Sequence, residues 1–299
     1  MNQTYSLKEW LIDTYGGSTP KEAISIAAND LIRNTSQNEL PVKLSEIASL
    51  IGINPSPIYR SQLSTGQLIE INNEFRISLK MKSGKPPSIY WYGYPRLRFS
   101  YAHELFHCIF YDFSFSPPKR IAPKSKGNEE EEYCNYGAAL LLLPYKLTQK
   151  YISTLKTNDI IIIATKLAKK SHTSLHTSFL HLLNSDFLTC NKRKLYILSS
   201  RHSGYRNRGN IKPRCILSAQ YLNNDKRKIF LPTYKGLETI AASWSLLDHH
   251  NKIKSIPEYI VKNEIIEYNK NKYILNGLHK RINGSGYIWS DLYIDHYVK

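Results

Sequence analysis

Apolar residues recur at helical spacing near the N-terminus: Leu7, Trp10 and Leu11, then, past a Gly16-Gly17 break, Ala23, Ile24, Ala27, Leu31 and Ile32. The spacing predicts two helices over 6–35, the second with Thr19 as N-cap and Pro20 at its first position. A polar loop, Asn34 to Asn38, leads to a short helix over 42–52, where Leu44, Ile47, Ala48, Leu50 and Ile51 are apolar. The stretch from Leu44 to Tyr59 has a superficial helix-turn-helix pattern. Pro55 and Pro57 fall where the recognition helix would run, and proline costs ~3 kcal/mol inside a helix, so that reading is rejected. Over 67–82 the period changes to two. Phe75, Ile77, Leu79 and Met81 alternate with Arg76, Ser78, Lys80 and Lys82, with Asn72-Asn73 as a hairpin turn before them. Ile89 and Trp91 suggest a further strand. Helices are expected from about Leu97 to Phe110 and from about Glu129 to Leu143, the latter stopped by Pro144, with a proline-bearing loop between them.

Residues 158–183 are helical in pattern, with a break near Ser171 to Ser174. Beyond 190, short apolar segments at about 195–198, 215–217, 229–232, 265–268 and 273–275 alternate with polar turns, interrupted by one helix at about Gly236 to Leu247. The expected class is α+β: helices packed on a small sheet over residues 1–190, then a mixed, β-rich domain over 191–299.

The chain has 299 residues, room for one large domain or two ordinary ones. At 41% hydrophobic and 22% charged, with mean hydropathy −0.41, it reads as a soluble globular protein. No apolar run approaches the ~18–20 residues of a membrane span. Met1 to Lys8 lacks the apolar core of a signal peptide. Four scattered cysteines, Cys108, Cys134, Cys190 and Cys215, form no C-x-x-C pair, which points to a reducing cytoplasm. The net charge of +17 is uneven: residues 1–150 hold 17 Lys and Arg against 14 Asp and Glu, residues 151–299 hold 24 against 10. The C-terminal half therefore favours an acidic partner, nucleic acid first among them, although a Lys-rich soluble surface has the same charge.

The stretch that carries chemistry is Arg96-Leu-Arg-Phe-Ser-Tyr-Ala-His103-Glu104-Leu-Phe-His107. It contains H-E-x-x-H. On a helix, residues four apart share a face, so His103 and His107 can offer two imidazole nitrogens to one metal ion. Glu104, rotated by ~100° from His103, can reach a water on that metal. Two neutral nitrogen ligands, an open position and a carboxylate base are what a zinc hydrolase needs. A core helix with two satisfied histidines is the competing reading. The amphipathic helix and the strands before it favour the zincin-like arrangement, in which an edge strand holds the substrate by backbone pairing. A third ligand is expected from Glu129-Glu130-Glu131-Glu132. Carboxylates at a helix N-terminus are also favourable to the macrodipole, and spacing alone does not choose among the four. Arg96 or Arg98 could steady an oxyanion, with a structural ion pair the blander role.

Arg-x-Arg-Phe-Ser-x-Ala-His-Glu-Leu-x-His, followed by Glu131-Glu-Tyr-Cys-Asn135-Tyr-Gly-Ala138-Ala139-Leu-Leu-Leu-Leu-Pro144, resembles the two motif blocks of the ImmA/IrrE family of zinc metallopeptidases. Leu40-Pro-Val-Lys-Leu-Ser-Glu-Ile-Ala48 with Gly52-Ile53 matches a further habit of that family, and the resemblance covers about residues 20–185. It implies zinc held by His103, His107 and the glutamate opening the second block, which falls on Glu131, with Glu130 and Glu132 as fallbacks. It implies Glu104 as general base, activating a zinc-bound water. It also implies a regulatory protein, typically a helix-turn-helix repressor, as the cleaved partner in a stress response or a mobile genetic element. Two positions depart from the family pattern: Phe106 stands where a small Gly is usual, and Gly137 where a Phe is usual. A compensated exchange of bulk would explain both.

Proteins resembling the family often carry a helix-turn-helix-like segment after the core, here at about 158–185, and some carry a C-terminal sensor-like domain. Here bracing is the favoured role for that segment. His172 and His176 are four apart but have no carboxylate between them, so with His181 they read as structural. His249-His250 is assigned no role. The clusters Lys192-Arg193-Lys194, Arg201 to Arg214 and Lys226-Arg227-Lys228, interleaved with Tyr196, Tyr205 and Tyr221, suit single-stranded nucleic acid or an acidic protein. The expected function is thus a cytoplasmic zinc endopeptidase. The alternative is a weak or inactive zincin-fold regulator that binds through its basic half.

Overall fold

The structure is a computed structural model. It describes residues 5–61, 66–72, 74–81, 87–90, 93–125 and 127–184, and the strands 194–200, 214–222, 225–228, 258–268, 271–281 and 287–298. The chain is α+β and divides into two compact units, Met1–Ser178 and Phe179–Lys299. The division expected after residue 190 falls beyond the helix that straddles these two units.

The first unit opens with α1 (Leu7–Tyr15) and α2 (Pro20–Asn34). Thr19 caps α2 just ahead of Pro20, as the sequence predicts, and α1 opens on a reciprocal capping box of Ser6 and Glu9. α1 buries Leu7, Trp10 and Leu11, and α2 buries a small-residue stripe, Ala23, Ala27 and Ala28, with Ile24 and Ile32. After α3 (Leu44–Leu50) the chain extends into β1 (Asn54–Arg60), so Pro55 and Pro57 lie in a strand. The strand tolerates them because it is at the edge: the sheet order is β1-β3-β2, with β2 (Gly66–Ile71) and β3 (Glu74–Lys80). β3 pairs parallel with β1 and antiparallel with β2. The two-residue period in β3 is incomplete, because Ser78 is buried with Ile77 and Leu79. The strand expected around Ile89 is absent there: Ile89 and Tyr90 form a turn, and Trp91 lies outside the described residues. Pro87, just before it, has no backbone N–H to give to a ladder.

α4 (Tyr94–His107) runs against the sheet and continues as a single 3-10 turn, Cys108–Phe110. Tyr101 donates to the Pro55 carbonyl at 3.0 Å, tying α4 to the edge strand. A two-residue ladder, β4 (Tyr111–Asp112) with β5 (Lys119–Arg120), occupies the loop before α5 (Glu129–Leu142). α5 packs on α4 and also on α2, so the core is layered as sheet, α4, α5, α2. Pro144 ends α5 and its carbonyl begins α6 (Tyr145–Ser153), a helix that the apolar spacing did not announce. α7 (Ile160–Ser171) and α8 (Leu175–Asn184) are joined by a turn in which His172 is left-handed, at φ 55°. A buried hydroxyl chain, Ser171 to Thr173 to Ser178 at 2.8 and 2.9 Å, closes that turn from inside.

The second unit is a six-stranded antiparallel sheet in the order β8-β7-β6-β11-β10-β9. Its strands are β6 (Lys194–Ser200), β7 (Arg214–Leu222), β8 (Asp225–Lys228), β9 (Glu258–Tyr268), β10 (Asn271–Arg281) and β11 (Tyr287–Val298). Trp289 on β11 is fully buried and stacks between Phe179 (4.2 Å) and Tyr196 (5.3 Å). The expected segment at 229–232, the helix at 236–247, His249-His250 and most of the basic clusters lie outside the described residues. Among the described residues no helix is long and apolar enough to cross a membrane.

Candidate metal centre

α4 brings His103 and His107 to one face, one turn apart, with ring centroids separated by 4.8 Å. Their Nε2 atoms are 3.1 Å from each other. The Glu131 carboxylate, from the first turn of α5, completes the group: one oxygen is 3.2 Å from His103 Nε2, the other 3.3 Å from His107 Nε2. Among the described residues these three form the cluster of metal-ligating type. His172, His176 and His181 do not, and burial lowers the pKa of each. His172 instead packs edge-on against Tyr94.

The outer nitrogens have partners of their own. His103 Nδ1 lies 3.1 Å from the Asn135 side-chain oxygen, and His107 Nδ1 lies 3.1 Å from a Glu130 oxygen. A neutral imidazole that donates from Nδ1 to such an oxygen turns a lone pair at Nε2 toward the cluster. The two Nε2 atoms and the carboxylate converge on one point. Such a group could hold a metal ion. Zinc–nitrogen bonds of about 2.0–2.1 Å at tetrahedral angles put neighbouring donor atoms about 3.3 Å apart. The observed separations fit that spacing, and the donor set is one zinc accepts.

The four glutamates have four different fates. Glu129 pairs with Lys8 at 3.0 Å and accepts from Tyr133. Glu130 takes the Nδ1 side of His107 and is gripped by Arg120 at 2.6 Å, so it faces away from the Nε2 cluster. Glu131 faces both Nε2 atoms, and Glu132 is exposed. The hydrogen bond from His107, then that from Arg120, hold the Glu130 carboxyl down at about 2 against the effect of burial. Burial lowers the pKa of His103, reinforced by neighbouring His107. His107 moves up, because Glu130, Glu104 and Glu131 together outweigh its burial.

Glu104 is part-buried on α4, and burial raises its carboxyl, offset in part by His107. It rests against Gly66 at the start of β2. A Cβ placed on Gly66 would lie 2.6 Å from both Cγ and Oε1 of Glu104, so only glycine leaves room for this carboxylate. The two departures from the family pattern meet in space. The fully buried Phe106 ring occupies the position a side chain on Gly137 would take, which lets α4 and α5 approach closely beside the histidines. Among the described residues Arg98 forms no ion pair with a carboxylate. It donates to the Val42 carbonyl at 2.8 Å, and Arg96 is exposed. Asn135 stood in the motif without a role, whereas Gly66 and Arg120 had no sequence signal at all.

No family model matches the chain, and no curated protein sequence matches it. Among solved structures, it is similar to a Mycobacterium tuberculosis transcriptional regulator, with 11% identity and a TM-score of 0.43 over 96% of this chain and 78% of that one. A likeness that distant carries no argument, and the functional reading rests on the residues themselves.

Proposed function

We propose that the chain is a zinc-dependent endopeptidase with a zincin-like core of the ImmA/IrrE type, acting on a peptide bond of a regulatory protein. The observation that carries this is the convergence of His103 Nε2, His107 Nε2 and the Glu131 carboxylate, with Glu104 next in sequence to His103. His103, His107 and Glu131 would hold the ion. A zinc ion held there would supply polarisation of a scissile carbonyl and acidification of a water nucleophile. Glu104 takes the proton from the water on a carboxylate oxygen and delivers it to the leaving amine. β2 is an edge strand, and its Gly66 end abuts Glu104, so an extended substrate can add to that edge and present its backbone to the base. The family resemblance carries the substrate class, a helix-turn-helix repressor in the cytoplasm.

Elemental analysis tests the metal: about one zinc per chain in wild type, lost in a His103→Ala, His107→Ala double variant. Glu104→Gln should keep the zinc and lose cleavage of a co-expressed repressor. Unchanged cleavage in that variant refutes the mechanism. The excess of 24 basic over 10 acidic residues in 151–299 favours a second reading, binding of nucleic acid by the C-terminal half. It predicts an affinity for single-stranded DNA or RNA that falls steeply with salt. Salt-independent binding to protein alone counts against it.

A further inference from the structure

Arg120 has no place in either motif block, yet its guanidinium is fully committed. Nε donates to the Ala122 carbonyl at 2.9 Å. Nη2 donates to the Pro123 carbonyl at 3.0 Å and to Glu130 Oε2 at 2.6 Å. Nη1 reaches Glu130 Oε1 and the Tyr111 hydroxyl, both at 3.3 Å. All five N–H donors of the fork are therefore engaged. The group also lies over the rings of Phe110 and Tyr111, at 5.8 and 5.4 Å. Its backbone is held as firmly: Arg120 pairs with Tyr111 across the small ladder, and Ile121 N–H donates to the Phe110 carbonyl at 2.9 Å. Arg120 is thus anchored to the end of the helix that carries the histidines. It grips Glu130 through two parallel hydrogen bonds, and Glu130 Oε1 in turn accepts from His107 Nδ1 at 3.1 Å.

We infer that Arg120 and Glu130 are positioning residues that act through His107, holding its ring so that Nε2 presents a lone pair to the metal. The inference rests on the zinc reading of the His103, His107 and Glu131 cluster and adds a determinant of its affinity. The two histidines are held differently. His103 meets a neutral amide, Asn135, at an exposed position of α5. His107 meets a carboxylate that is itself locked by a charged fork, with side-chain exposures of only 17% for Glu130 and 20% for Arg120. A carboxylate behind a ligating imidazole fixes the ring and makes the opposite nitrogen a stronger donor. The loop between α4 and α5 thereby acts on the metal without touching it. A lysine at 120 cannot replace the arginine, because a point charge supplies neither the paired hydrogen bonds nor the stacking.

The test is zinc affinity of the full chain by competition with a chromophoric chelator, read beside the visible spectrum of the cobalt-substituted protein. Arg120→Ala, Arg120→Lys and Glu130→Ala should each bind zinc roughly 10- to 100-fold more weakly than wild type. Each should alter the cobalt bands, while circular dichroism of the metal-free protein stays that of wild type. A purely structural ion pair would lower the melting temperature of the metal-free protein and leave affinity and cobalt spectrum alone; that result overturns the inference. Wild-type affinity in Arg120→Ala combined with complete zinc loss in Glu130→Ala also overturns it, by making Glu130 a ligand. If Glu130→Ala does not fold, Arg120→Lys, which keeps the charge, decides the matter. Zinc binding by wild type that disappears in the His103, His107 double variant but is unmoved at 120 and 130 leaves the metal reading standing and removes the clamp. No zinc in wild type removes both.

Discussion

Gly137→Ala is the substitution in which two opposed physical effects compete most cleanly. Gly137 lies inside α5, where alanine is ordinarily preferred by about 1 kcal/mol because it restricts the unfolded chain and favours helix. On that ground alone the variant gains stability. The space is already taken, however: an alanine methyl would sit within the Phe106 ring, which is 0% exposed and belongs to the helix packed face to face with α5. A rigid ring between two helices cannot swing aside as a lysine end would, and overpacking of this kind costs about 1–3 kcal/mol. The net expectation is a loss of about 0–2 kcal/mol. The coupling to residue 106 gives the sharper number. Phe106→Leu is destabilising by itself through lost volume. Adding Gly137→Ala to it should cost about 1–3 kcal/mol less than in the wild-type background. The assay is urea unfolding of metal-free protein, with chelator present so that ligand binding does not add to apparent stability, followed by far-UV circular dichroism. A gain of about 1 kcal/mol for Gly137→Ala alone, or strict additivity with Phe106→Leu, would show that the two residues do not share the space between α4 and α5.

Gly66→Ala should displace the Glu104 carboxylate and reduce cleavage on the order of 10²-fold with zinc content unchanged; loss of zinc together with activity would place the damage elsewhere. Glu131→Gln should lose zinc by elemental analysis, whereas the exposed Glu132→Gln should retain it, and the reverse outcome would reassign the third ligand. Burial lowers His181 from 6.5 to about 4, so the unfolded chain takes up the proton first as pH falls. The stabilisation it contributes is complete above about pH 6.5 and disappears as pH drops toward 4, on the order of 3 kcal/mol over that window. His181→Phe should flatten the fall in thermal stability between those values, and melting curves with parallel pH slopes for variant and wild type would refute the burial argument.

Local pattern determined most of the first unit. The Gly16-Gly17 break, the Thr19-Pro20 start, the two-residue period before Lys80 and the Pro144 stop are short-range signals, and the helices and hairpin formed where they point. The pairing of His103 with His107 was equally legible, because it follows from 3.6 residues per turn alone. Where residues answer to distant partners, the pattern fell short. β1 was hidden by prolines that only an edge position tolerates. β11 was hidden because Ile288, Trp289 and Ser290 are all buried, which erases alternation in a central strand. The choice among Glu129 to Glu132 had the same character. Adjacent residues on a helix diverge by ~100°, and which one faces the histidines depends on how α5 lies against α4. That depends on Phe106 filling the notch at Gly137, and on Arg120 holding Glu130 to the far side of His107. The sequence by itself determined that the imidazoles share one face. Which carboxylate meets them, which nitrogen each imidazole turns inward and which glycine makes room for Glu104 were decided by the tertiary structure, because packing brings these groups together from segments far apart in the chain.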